Sequence, residues 1–202
     1  MRHNRMRSIA IRAVCRVVAA LGIIGGLATG STAGRAADTG SPTLSPDLAK
    51  ARAALTKYQD PIAAVHDGYF STLGCVEYAN GGMGVHFINT NVISPVPDPM
   101  KPQILIYEPN GKKLRLVAAE WFVPLATGVK ERPTLFGRPF DGPMAGHVPL
   151  MPDELHHYDL HVWLFKANPA GMFSPINPAV KCAGKTGYAL MEEPPRTVPH
   201  TH

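Results

Sequence analysis

Two runs of strand-forming residues face each other across a tight turn in the middle of this chain. Gln103-Ile104-Leu105-Ile106-Tyr107-Glu108 leads through Asn110-Gly111 into Leu114-Arg115-Leu116-Val117-Ala118-Ala119-Glu120-Trp121-Phe122-Val123. Asn-Gly accepts the positive φ angles of a hairpin turn, so the two runs predict an antiparallel pair. Further strands are expected over Gly84–Asn89 and His157–Lys166. Prolines bound what lies between: Pro95, Pro97, Pro99 and Pro102 precede the hairpin, and Pro133, Pro139, Pro143, Pro149 and Pro152 follow it. Each lacks a backbone donor, so both stretches read as long loops.

Helical signals come before the strands. Ser45-Pro46-Asp47 places an N-cap before a proline at the first helical position, and Leu48, Ala51, Leu55 and Tyr58 follow at helical spacing. Asp60-Pro61 repeats the start signal, with Ile62, Val65 and Tyr69 continuing the apolar pattern. Residues 46–70 therefore predict two short helices, or one helix broken at Pro61. The fold class is α+β: an antiparallel sheet, open or barrel-like, with N-terminal helices and long proline-rich loops.

The extreme N-terminus predicts export. Arg2, Arg5, Arg7, Arg12 and Arg16 precede the apolar run Val17–Ala28, and small residues follow it. A basic segment, an apolar run of about a dozen residues and a small-residue site make a signal peptide, and the run is short of the roughly 20 residues a spanning helix needs. Gly34-Arg35-Ala36 and Ser31-Thr32-Ala33 both offer cleavage sites. The expected organisation is a signal peptide over 1–36, a flexible leader over 37–44, one domain over 45–191 and a disordered tail over 192–202. Six of the 20 basic residues and none of the 15 acidic ones lie in the signal, which leaves 14 bases against 15 acids. The basicity of the whole chain thus carries no argument for nucleic acid as a partner, and no membrane span is expected in the mature form.

Cys75 and Cys182 remain beyond the signal, and Cys15 lies within it. An oxidising compartment favours a Cys75–Cys182 disulfide; the alternative is that both thiols are metal ligands, although neither has a second ligand at short spacing.

Chemistry concentrates in His156-His157-Tyr158-Asp159-Leu160-His161-Val162-Trp163. On a strand, alternation sets His157, Asp159 and His161 on one face and Tyr158, Leu160 and Val162 on the other. His157 and His161 would lie about 13 Å apart on a straight strand, so Asp159 with one of them suits a single ion better than all three. Glu120 falls on the face of Leu114, Leu116, Ala118 and Phe122, where a carboxylate is costly unless it is paired or bound to an ion. His86 follows Gly81-Gly82-Met83-Gly84, which allows close backbone approach. His86, Glu120, Asp159 and His161, with His157 as a fifth member, form the candidate site for a divalent transition metal of undetermined identity. Ser71 and Ser174 lack a Gly-x-Ser-x-Gly elbow, and nucleophilic catalysis has no support. His200 and His202 read as a short, solvated pair.

The run Gly82-Met83-Gly84-Val85-His86-Phe87, with His161-Val162-Trp163-Leu164 and Asn168-Pro169-Ala170-Gly171-Met172-Phe173 before Cys182, resembles a group of small exported bacterial proteins. The resemblance implies export and a single domain from about residue 48 to Cys182, and it carries over no catalytic residue. The functional expectation is a periplasmic or secreted binding protein for a small ligand or a protein. The alternatives are a metal-dependent hydrolase-type enzyme and a metal-free envelope module whose polar cluster is structural. Mass spectrometry of exported material is expected to place the mature N-terminus between Gly34 and Asp38; recovery of the intact precursor in membranes would exclude cleavage.

Overall fold

The computed structural model describes residues 44–182, 188–190 and 196–200, which belong to one compact unit, Pro42–His202. The expected signal peptide and leader residues 37–43 lie outside the described residues. No described helix is long and apolar enough to cross a membrane.

Helix α1 (Pro46–Leu55) begins where the sequence places it: the Ser45 side chain accepts from the Leu48 N–H, and Leu48, Ala51 and Leu55 form the buried stripe. One 3₁₀ turn, Thr56–Gln59, leads to α2 (Pro61–His66), whose cap is Asp60, accepting from the Ile62 N–H at 2.9 Å. The apolar pattern expected for α2 needs correction. Ala64 and Tyr69 are buried, whereas Ile62 and Val65 are 61 % and 53 % exposed. A six-residue helix turns less than twice, so it can press only a narrow stripe on the sheet.

Among the described residues nine strands follow: β1 (Phe70–Tyr78), β2 (Gly81–Ile88), β3 (Ile104–Asn110), β4 (Lys113–Pro124), β5 (Thr134–Leu135), β6 (Arg138–Pro139), β7 (Asp141–Met144), β8 (His157–Val162) and β9 (Tyr188–Leu190). Seven form one sheet in the order β7-β8-β4-β3-β2-β1-β9, and β5 and β6 pair separately. All pairings in the large sheet are antiparallel except β1 with β9. Among the described residues the sheet is open, ending at β7 and β9, and does not close into a barrel. The Asn-Gly hairpin joins β3 to β4, with Asn110 opposite Lys113.

Each sheet face has its own core. Helix-side residues Leu48, Ala51, Leu55 and Tyr58 pack against Leu105, Tyr107, Trp121, Tyr158, Leu160 and Val162. Ile104, Ile106, Val117, Ala118, Phe122, Trp163 and Val180 form the opposite core, joined by Met151 and Leu155 of the loop before β8. Trp163 belongs to this core, its indole N–H donating to the Ser174 carbonyl. A bulge in β4 sets which residues belong to which face. Ile106 pairs with Ala118 but Tyr107 pairs with Leu116, so Val117 is an extra residue. Leu114 and Leu116 therefore pack on the helix side, and Glu120 shares the opposite face with Val117, Ala118 and Phe122. This corrects the uninterrupted alternation expected from Leu114 onward.

Residues 196–200, expected to be part of a disordered tail, are paired. Thr197 bridges to Met144, the Ala145 N–H donates to the Arg196 carbonyl, and the Val198 N–H donates to the Pro143 carbonyl. The open edge of β7 offers backbone groups that an extended proline-containing segment can satisfy. His200 is held as well, between the Val129 carbonyl and the Tyr158 hydroxyl, each at 3.0 Å.

Cys75 of β1 and Cys182 form a disulfide with their Cα atoms 5.5 Å apart, spanning 107 positions of sequence. Replacing both by alanine is expected to lower unfolding free energy by roughly 2–5 kcal/mol in denaturant titration, because the bridge restricts a long loop in the unfolded chain. A loss near zero would show that the bridge adds nothing beyond the pairing around it.

Candidate metal centre

The site lies on the sheet face away from the helices, and strand register assembles it. In the β4–β8 pairing Glu120 stands opposite His161 and Phe122 opposite Asp159. Tyr158, Leu160 and Val162 fill the helix-side core, so His157, Asp159 and His161 project to the other face beside Glu120. His86 comes from β2 on the far side of β3, with Val85 and Phe87 on the helix side. Gly84, just before it, has φ +112°, and a Cβ there would lie 2.6 Å from the Tyr107 carbonyl oxygen. Only glycine lets β2 approach β3 so closely at that point.

All five residues expected from the sequence are buried and come together, but as two groups rather than one centre. In the first, Glu120 Oε2 lies 3.3 Å from His161 Nε2 and 3.5 Å from His86 Nε2. In the second, Asp159 Oδ2 lies 3.8 Å from His157 Nε2, and His147 completes the triad. Within each triad one ligand atom from every residue lies within 4.8 Å of the others, so each group could hold a metal ion. The groups meet at His161, whose Nδ1 is 3.9 Å from Asp159 Oδ1.

His147 was not anticipated. It sits in the loop between β7 and β8, its ring centroid 5.2 Å from that of His157 and its Nε2 3.3 Å from Met144 Sδ. A Cβ on the neighbouring Gly146 would fall 1.7 Å from the Pro152 carbonyl oxygen, so glycine is required for the loop to fold back and deliver His147. The available signal was a glycine close before a histidine, the same device that precedes His86.

Burial and mutual charge set the protonation states. Burial alone would raise the Glu120 carboxyl, but His161, then His86 and His157, hold it below the ordinary carboxylate range. Burial opposes a charge on His161, yet Glu120 and then Asp159 raise it to about 9. Asp159 is pushed well above the carboxylate range by burial, and His161 offsets that only in part. His157 is lowered to about 4, chiefly by burial, and is therefore neutral at neutral pH. Its Nδ1–H donates to the Leu155 carbonyl at 2.9 Å, which leaves the Nε2 lone pair aimed at the Asp159 carboxyl. Glu120 Oε2, His157 Nε2 and both ring nitrogens of His161 are buried with no aligned hydrogen bond among the described residues. Buried polar atoms in folded proteins are nearly always satisfied, and these four belong to the groups that could hold a metal ion.

Two cavities reach the site. One of about 360 Å³ borders Asp159, His161 and His147, and one of about 250 Å³ borders Glu120, His86 and His147. Met83 and His147 line both. The chain matches no protein-family model, no curated protein and no solved structure.

The shifts fix a pH response for metal-free protein. His161 is raised in the fold, so its contribution is fully present below its ordinary value of 6.5 and is lost as pH rises toward about 9. Asp159, also raised, changes stability in the same direction. Metal-free protein is therefore expected to lose stability between pH 6.5 and 9 in thermal unfolding, with a shallower loss in Glu120→Gln. A stability profile that rises over this range would show that His161 is not charged in the fold.

Proposed function

We propose that this is an exported metal-binding protein whose divalent transition ion is held by His86, Glu120 and His161. The carrying observation is the spacing around Glu120 Oε2. Two donors on a tetrahedral ion with bonds of ~2.0–2.2 Å stand about 3.4 Å apart. The two imidazole nitrogens lie 3.5 and 3.3 Å from the carboxylate oxygen. A direct charge-assisted hydrogen bond would instead be about 2.7–2.9 Å and aligned. The spacing thus suits donors arranged around a centre better than a donor bonded to an acceptor.

Two imidazoles and a carboxylate suit Zn, Cu, Ni, Mn or non-haem Fe, and three protein ligands leave a coordination position open. The signal-like N-terminus and the disulfide support export. The cavity of about 360 Å³ beside Asp159 and His161 favours a second reading, in which the open position activates water on a small substrate.

Metal analysis and competitive titration of tag-free protein test the proposal. Wild-type protein is expected to retain a divalent ion through dialysis, and Glu120→Gln to weaken binding at least ~100-fold with unchanged circular dichroism, since loss of a group that only orients a ligand already costs 10–100-fold. Equal affinity in wild type and variant would overturn this assignment.

A further inference from the structure

His161 presents each ring nitrogen to a different carboxylate. Nε2 faces Glu120 Oε2 at 3.3 Å and Nδ1 faces Asp159 Oδ1 at 3.9 Å, on a side chain only 1 % exposed. A neutral imidazole carries one N–H and one lone pair, so either tautomer leaves one nitrogen facing a carboxyl oxygen that, when ionised, cannot donate to it. An imidazolium would have two donors, yet the contacts to Glu120 at 3.3 Å and Asp159 at 3.9 Å are both longer than the ~2.7–2.9 Å of a charge-assisted hydrogen bond. A cation on each side answers both nitrogens.

The second side is equipped for one. The His157 tautomer is fixed by the Leu155 carbonyl, so its Nε2 can only accept, and it points at the Asp159 oxygen that His161 does not face. That bond from Nδ1–H to a backbone carbonyl is how ligating histidines are usually oriented. His147 adds a third donor from the covering loop. The cavities also divide in this way, the larger bordering Asp159 and the smaller bordering Glu120.

We propose that the centre takes two divalent ions bridged by His161 as an imidazolate, Nε2 on the ion of His86 and Glu120, and Nδ1 on a second ion held by His147, His157 and Asp159. This rests on the single-ion reading above and adds to it. The protonic balance is that His161 gives up both ring protons to solvent: the first ion would bond Nε2 where that N–H breaks, and the second would bond Nδ1 where the remaining N–H breaks. With bonds of ~2.0–2.1 Å to opposite nitrogens of one ring, the ions stand about 6 Å apart. Four positive charges then meet Glu120, Asp159 and the imidazolate, which reduces the buried charge imbalance to one.

Copper(II) is the probe, because coupling through an imidazolate is visible by electron paramagnetic resonance. The full chain, freed of metal by chelation, is titrated with Cu(II) and then with mixed Cu(II) and Zn(II). Two ions per chain are expected, with the resonance lost on filling the second site and restored when Zn(II) replaces one copper. Asp159→Asn is expected to take one ion and to keep an uncoupled signal. Two ions with undiminished signals would overturn the bridge, as would two ions in Asp159→Asn. One ion in the wild-type chain would overturn the second site and leave the single-ion reading standing. No ion at all would remove both.

Discussion

The extra residue Val117 in β4 decides what the sheet can hold. Side chains alternate along a strand with period two, so a shift of one residue exchanges the faces of everything beyond it. With the bulge, Leu114 and Leu116 pack under the helices and Glu120 turns to the other face. Without it, Leu114 and Leu116 would share the face of Glu120, and keeping them in the helix-side core would drive the carboxylate in beside them. The pairing of Glu120 with His161 follows from the same register, and with it the approach of Asp159 and His157 on β8.

Polar groups from distant segments then meet on a face that is otherwise apolar. Ile104, Ile106, Ala118 and Phe122 surround them from the sheet, and Met151 and Leu155 close over from the loop. That enclosure makes the charges interact strongly, and it makes any unsatisfied one expensive. The loop also acts on the histidines directly, since Leu155 orients His157 through its carbonyl and Gly146 allows His147 to reach the site.

Much of this was legible in the sequence, for reasons that differ by element. The caps at Ser45 and Asp60 and the Asn-Gly turn are local chemistry, and they formed where expected. The facing of His157, Asp159 and His161 follows from period two and needed only β8 to be a strand. The bulge leaves no mark in Leu116-Val117-Ala118, because any of these residues fits either face; it is fixed by the pairing of β3 with β4. His147 was missed because a proline-rich loop has no period from which a direction could be read. The division into two triads was foreshadowed by the distance along β8, but it required the third dimension to bring His147 to one end and His86 to the other.

Strand β9 pairs in parallel with β1, and the disulfide fastens Cys182 to that same strand. The first strand of the sheet is thus sealed by residues far along the chain, at Cys182 and in β9. Until the C-terminal part of the chain arrives, β1 has an open edge and Cys75 has no native partner, and such unpaired edges are where chains associate wrongly. A chain truncated shortly before Cys182 would hold every residue of the two triads yet lack both the disulfide and the strand that cover the β1 edge.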